Sequence, residues 1–330
     1  ETASLYLGEV QVLGSDQNAF LASSPNVIGT VNILKGNFGT LNPESVTEYR
    51  GNVYWVDVAN GRVVQYSSNG LYPISNYKMT RFWKLFCDQF RSMTATEIEA
   101  LGGRPFIFTT VDPYHDELLI SIPKLLSDPP KGYLPDYPSI VYPFDIWDGL
   151  GKTVVYKLST NPNFWMGSYS FNPEGFVTLG SNLYSFKNGQ LYLHNQTTNY
   201  NRFYDDEIKY ASKVMAIFNQ QGNIPKSYNT IKVEANLIPS FTYFRSESPY
   251  VQASDLMDYD YTNYEGMYYT SLYRNKLVPT AIGYNTDGLL TAEKMRTNAL
   301  RVLLQFSIST QPVQLRFATL NYINSLGHTE

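Results

Sequence analysis

Gly51-Asn-Val-Tyr-Trp-Val-Asp-Val-Ala-Asn-Gly-Arg-Val-Val-Gln-Tyr-Ser-Ser-Asn-Gly-Leu-Tyr-Pro-Ile-Ser75 carries the strongest β signal in the chain. Val53, Trp55 and Val58 lie in one β-rich run, Val63, Val64 and Tyr66 in the next, with Asn60-Gly61 between them and Asn69-Gly70 at the exit. Asn and Gly accept positive φ at little cost, so this dipeptide between β-rich runs predicts a hairpin closed by a two-residue turn. Such a hairpin is a typical inner part of a propeller blade.

The pattern then changes. Met79, Phe82, Trp83, Leu85, Phe86 and Phe90 fall at helical spacings and predict an apolar helix face over 78–92. Thr94 and Glu97 have the spacing of a capping box, and Gly102-Gly103 stops the second short helix, so the helical insertion covers 78–102. Pro105 to Pro123 reads as another hairpin, turned by Asp112 to Asp116, and the proline-rich Ser127 to Tyr142 as an extended excursion. Strands resume at Thr153 to Leu158 and Phe164 to Phe171. Phe176 to Leu179, Asn182 to Phe186 and Gln190 to His194 follow as a meander around Asn188-Gly189.

From Lys226 the runs lengthen: Tyr228 to Val233, Met267 to Tyr273, Leu300 to Ser309 and Val313 to Leu320. Leu300, Val302, Leu304, Phe306 and Ile308 alternate and predict a core face, with Leu303 as the exception. Val313, Leu315, Phe317 and Leu320 offer a matching run to pair with it after Gln311-Pro312. The fold class expected is mainly β: partial or degenerate propeller blades over 1–220 with the helical insertion, then an antiparallel β-sandwich over 221–330. Ser246 to Glu265, acidic and rich in tyrosine, is expected as a long loop.

Composition narrows the function classes. Charged residues are 16% of the 330, against about 25% in an average soluble protein, while aromatics reach 15% with 28 tyrosines. Tyrosine joins a broad apolar ring to one polar tip, which suits large protein contacts or sugar platforms; it is also simply a good strand residue. A net charge of -4 argues against a general nucleic-acid binder. No run of about 18 apolar residues offers a membrane span. The opening Glu1-Thr-Ala-Ser-Leu-Tyr-Leu7 reads as a strand in progress, so a piece of a longer polypeptide is expected.

Candidate chemistry is sparse. Cys87, within an apolar helical run, is expected as a buried residue, and a single cysteine forms no internal disulfide. Asp255, Asp258, Asp260 and Glu265 form the densest carboxylate cluster, with Asp205, Asp206 and Glu207 next; neither has the ligand order of an EF-hand loop. Asp57 and Asp148 have the residue type for glycoside hydrolysis without a motif pairing them, and Asp57 is expected to bond turn amides instead. His115, His194 and His328 fit no catalytic or metal-ligand spacing. Trp55, Trp147, Trp165, Tyr192 and Tyr268 are the aromatics available for sugar stacking, although strand alternation places Trp55 and Trp165 in a core. Asn195-Gln196-Thr197 matches a glycosylation sequon.

Phe38-Gly-Thr-Leu-Asn-Pro-Glu-Ser-Val46, followed by the stretch from Asn52 to Ser75, resembles the propeller segment of large tail proteins of crAss-like bacteriophages. Asp112-Pro-Tyr-His-Asp-Glu-Leu-Leu119, Ser168-Tyr-Ser-Phe-Asn-Pro-Glu174 and Leu183-Tyr-Ser-Phe-Lys-Asn-Gly-Gln-Leu-Tyr-Leu-His-Asn195 fit the same pattern. So do Lys226-Ser-Tyr-Asn-Thr-Ile-Lys-Val-Glu234 and Glu265-Gly-Met-Tyr-Tyr269. These are strand and turn phrases, and members of that family are considerably longer. The resemblance implies a structural component of the virion tail, of the muzzle or tail-hub-associated kind, whose partners are other phage tail proteins and copies of itself. A glycan- or receptor-binding module of the tail, touching host surface glycan, is the alternative. No enzymatic activity, catalytic residue, cofactor, metal, nucleic acid or membrane insertion is expected.

Overall fold

The computed structural model describes residues 2–5, 10–13, 19–22, 31–125, 151–159, 163–196, 200–204, 210–246, 252–275, 294–307 and 311–324. These form two compact units that divide between Asn195 and Gln196. The division falls earlier than the residue 220 expected from the sequence, because the strand Ser212–Phe218 pairs into the second unit. The fold is mainly β, built from antiparallel sheets, and among the described residues no helix is long and apolar enough to cross a membrane.

The first unit opens with four short strands, β1 (Ala3–Leu5), β2 (Val10–Leu13), β3 (Ala19–Ala22) and β4 (Val31–Ile33); β1 pairs with β4 and β2 with β3. A four-stranded meander follows: β5 (Thr47–Tyr49), β6 (Asn52–Asp57), β7 (Arg62–Ser67) and β8 (Gly70–Pro73). Helices α1 (Thr80–Arg91) and α2 (Ala95–Ala100) fill the expected insertion, and Thr94 and Glu97 close the capping box reciprocally. The second meander is β9 (Phe108–Asp112), β10 (Glu117–Ile122), β11 (Lys152–Lys157) and β12 (Phe164–Tyr169). The third is three-stranded, β13 (Gly175–Leu179), β14 (Asn182–Lys187) and β15 (Gln190–Leu193).

Burial explains this order. Tyr54, Val56 and Val63 of the first sheet, Trp83, Phe86, Cys87 and Phe90 of α1, and Leu118, Ile120, Ile122 and Val154 of the second sheet share one core. All six residues of β10 are buried, because the second sheet has a neighbour on each face. Its other face meets the third sheet, where Thr178 donates its hydroxyl to Val111 O at 2.6 Å. The first strands of the three sheets lie side by side, β5 against β9 and β9 against β13, as inner strands of successive blades do.

The opening hairpin departs from the expected two-residue turn. Asp57 pairs with Arg62, so four residues, Val58 to Gly61, connect β6 and β7, and only Gly61 takes positive φ, +65°. The buried Asp57 carboxylate sets this length by accepting from Asn60 N (3.1 Å) and Asn60 Nδ2 (2.7 Å). The two-residue form occurs instead at Asn188-Gly189, both at positive φ, between the paired Lys187 and Gln190.

The second unit is a sandwich. Strands β16 (Ser212–Phe218), β17 (Lys226–Ala235), β18 (Pro239–Ser246), β19 (Gln252–Met257), β20 (Thr262–Tyr264), β21 (Met267–Ser271), β22 (Arg296–Thr297), β23 (Leu300–Phe306) and β24 (Leu315–Asn324) form two sheets. One runs β16-β23-β18-β19; the other joins β20, β21, β22 and β24 around β17. Tyr228, Ile231 and Val233 of the second sheet face Phe244, Leu256, Leu300, Val302, Leu304 and Phe306 of the first across one core.

Two expectations are corrected here. Ser246 to Glu265 is not one long loop: β19 and β20 lie within it, and Ala253 and Leu256 are buried. The run from Leu315 does not pair with β23. That strand already has β16 and β18 on its two edges, so β24 pairs along β17 in the opposite sheet. Ile308 lies outside the described residues.

Candidate functional site

Among the described residues, three acidic and His side chains close enough to share an ion sit where the second sheet faces the third. Asp112 ends β9 and Glu117 starts β10, directly opposite each other, and Lys157 of β11 is the next partner of Glu117. Pro113 starts the connecting turn and Asp116 closes it at φ +58°. Asp112 and Glu117 are each 3% exposed, and their oxygens lie within 4.8 Å of each other and of a His115 ring nitrogen.

Every carboxylate oxygen in this group already accepts a hydrogen bond from the protein. Asp112 Oδ1 accepts from Tyr114 N (3.0 Å), and Oδ2 from His115 Nδ1 (2.7 Å) and Asn195 Nδ2 (2.9 Å). Glu117 Oε1 accepts from Lys157 Nζ (3.3 Å) and Oε2 from the Tyr169 hydroxyl (2.9 Å). Burial, then the neighbouring Glu117 carboxylate, pushes the Tyr169 hydroxyl pKa well up, so it stays a donor. A cation would have to displace these donors while sitting beside the Lys157 ammonium, which fits poorly with a metal site. The arrangement instead satisfies two buried charges and, through Asn195, ties the hairpin of one sheet to the end of the next.

His194 lies beside this group. Its Nε2 is 2.6 Å from Ser185 Oγ, and its ring lies 5.0 Å from that of Phe171. Burial holds its pKa below the ordinary 6.5, with Asp112 pulling weakly the other way. As pH falls below about 6.5 the unfolded chain takes up this proton before the folded one does, so stability drops in that window. Urea midpoints measured across this range should fall with pH for the native chain and more shallowly for His194→Asn; equal slopes would show that His194 does not set them.

The other candidates do not converge. Cys87 is a free, buried thiol on α1, its pKa raised by burial. Asp57 bonds turn amides, as expected, while Asp148, Trp147, His328 and the Asp205 to Glu207 cluster lie outside the described residues. Asp260 is taken by Met257 N (2.7 Å) and the Tyr273 hydroxyl, and Asp258 by Tyr259 N (2.9 Å). Among the described residues, Asp112, His115 and Glu117 are the only three acidic, His or Cys side chains close enough to share an ion.

No protein-family model and no curated protein sequence matches the chain.

The aromatics named for sugar stacking are spread apart. Trp55 is buried in β6; Trp165 is half-buried, donating from Nε1 to Ile74 O (3.2 Å) and lying 5.6 Å from Trp83 and 4.9 Å from Tyr156. Tyr192 is on β15 and Tyr268 on β21 in the other unit. Asn195 is held by Asp112 at φ +63°. Sequence reading missed Glu117, whose only signal was a carboxylate opening an otherwise apolar run. It also missed Lys226, which is fully buried and donates to Gln221 O, Ile224 O and Asn298 O at 2.8 to 3.1 Å. No local pattern announces such a residue.

Proposed function

We propose that this chain is a structural component of a bacteriophage virion tail, of the muzzle or tail-hub-associated kind, acting through subunit assembly rather than catalysis. The observation that carries the reading is the outward face of the third sheet. Thr178, Leu183 and Ser185 turn toward the second sheet, so strand alternation sends Val177, Leu179, Tyr184, Phe186, Leu191 and Leu193 the other way. Leu179 is 61% exposed and Leu191 56%. Among the described residues, the second sheet has neighbours on both faces, whereas the third has a neighbour on one face and presents an apolar surface on the other. A contiguous patch of this kind is typical of a protein contact. The resemblance of its strand and turn phrases to those of crAss-like phage tail proteins supplies the setting.

Sedimentation and native mass spectrometry over a concentration series should show association, weakened at least tenfold by Leu179→Lys with Leu191→Lys. A chain that stays monomeric at the highest concentration, or a particle image placing it outside the tail, would reject the reading.

A further inference from the structure

Strand β16 is an edge strand of its sheet, pairing on one side only, with β23, among the described residues. Its seven residues run in unbroken register with no bulge and no proline, and Lys213 is its one charge. Val214, Met215 and Ile217 are all exposed, Ile217 by 60%. Folded proteins blunt such edges with charges, prolines, bulges or covering segments, because the open row of amides and carbonyls is a template for another strand. The opposite edge of the same sheet is treated that way. There Asn275 Oδ1 caps Ala253 N at 3.0 Å, and Gln252 is bonded through its side chain to Arg296 N and Lys294 O.

We propose that β16 is where a second copy of this chain adds, β16 to β16 and antiparallel about a twofold axis, joining two four-stranded sheets into one of eight. The strand's own sequence argues for a second copy as the occupant. With the axis at Met215, Ser212 lies opposite Phe218, Lys213 opposite Ile217 and Val214 opposite Ala216, so the single charge never meets itself. Apolar side chains then cover the exposed stretch from both copies, and the Lys213 stem lies along Ile217 with its ammonium in water. A cleft of about 210 Å³ opens at the end of β16, lined by Ile217, Phe218, Tyr228, Leu320 and Tyr322. The paired strand's first residues reach its mouth. This inference deepens the assembly reading and rests on it for its setting, but it uses a different unit and surface.

The test uses the full chain and reads register as well as association. Met215→Cys should form a covalent dimer under mild oxidation, since each copy's residue 215 faces its counterpart, whereas Lys213→Cys should not. Cys87 is buried and does not contribute. Met215→Lys alone should weaken dimerisation at least tenfold, and mixing it with Met215→Glu should restore it. Thermal melts of the single variants control for folding, because Met215 is exposed. Absence of the Met215→Cys crosslink, or association unchanged by Met215→Lys, would overturn the proposal. A crosslink that survives Leu179→Lys with Leu191→Lys would support this interface even where the third-sheet contact fails; loss of association in that double variant alone, with no crosslink at 215, would leave the third-sheet reading and remove this one.

Discussion

Gly61→Val should lower the stability of the first unit by about 2–6 kcal/mol, the sum of two penalties of about 1–3 kcal/mol each. The first is conformational: Gly61 sits at φ +65°, where a β-branched residue is strained. The second is steric: a Cβ built on Gly61 lies 2.9 Å from Lys84 Cα, in the backbone of α1, so the helix must move off the first sheet to admit it. The helix carries Trp83, Phe86 and Phe90 into the shared core, and displacing it loosens contacts with the second sheet too. Gly189→Val separates the two effects. Gly189 has φ +74°, and a Cβ added there would meet nothing within 4 Å, so only the strain of about 1–3 kcal/mol remains. Urea unfolding followed by tryptophan fluorescence checks both; equal losses would show that the close approach to α1 carries no weight.

Phe306→Ala should cost about 3–5 kcal/mol in the second unit. Phe306 ends β23 with no exposed surface, opposite Ser212 of β16 and Pro239 of β18, and packs in the core between the two sheets. With β16 and β18 holding both edges of β23, the sheet cannot collapse far into the space left, which puts the loss at the upper end of large-to-small changes. Phe317→Ala is the control. Its ring is 38% exposed beside Lys232, so its loss should stay near about 1 kcal/mol. Similar losses for the two variants would contradict the arrangement of the sheets.

The features legible in the sequence are local. The helical spacing through Phe90, the Thr94 and Glu97 capping box, the Asn188-Gly189 turn and the alternation from Leu300 to Phe306 are each written within a few residues, and each forms as read. Side-chain period and turn stereochemistry act over that distance. Tertiary structure decided what depends on distant partners. Asn60-Gly61 joined a four-residue connection because the buried Asp57 carboxylate claimed Asn60. Gln252–Met257, inside the stretch expected as a loop, became a strand because β18 offered it a full-length partner. Glu117 was drawn into a buried site by Lys157 and Tyr169, 40 and 52 residues away. The partner of β24 was likewise chosen by which edges stood free, β23 being occupied on both sides and β17 open along ten residues. Backbone hydrogen-bonding capacity is the same at every strand, so pairing is selected by shared burial and free edges, which no short window of sequence contains.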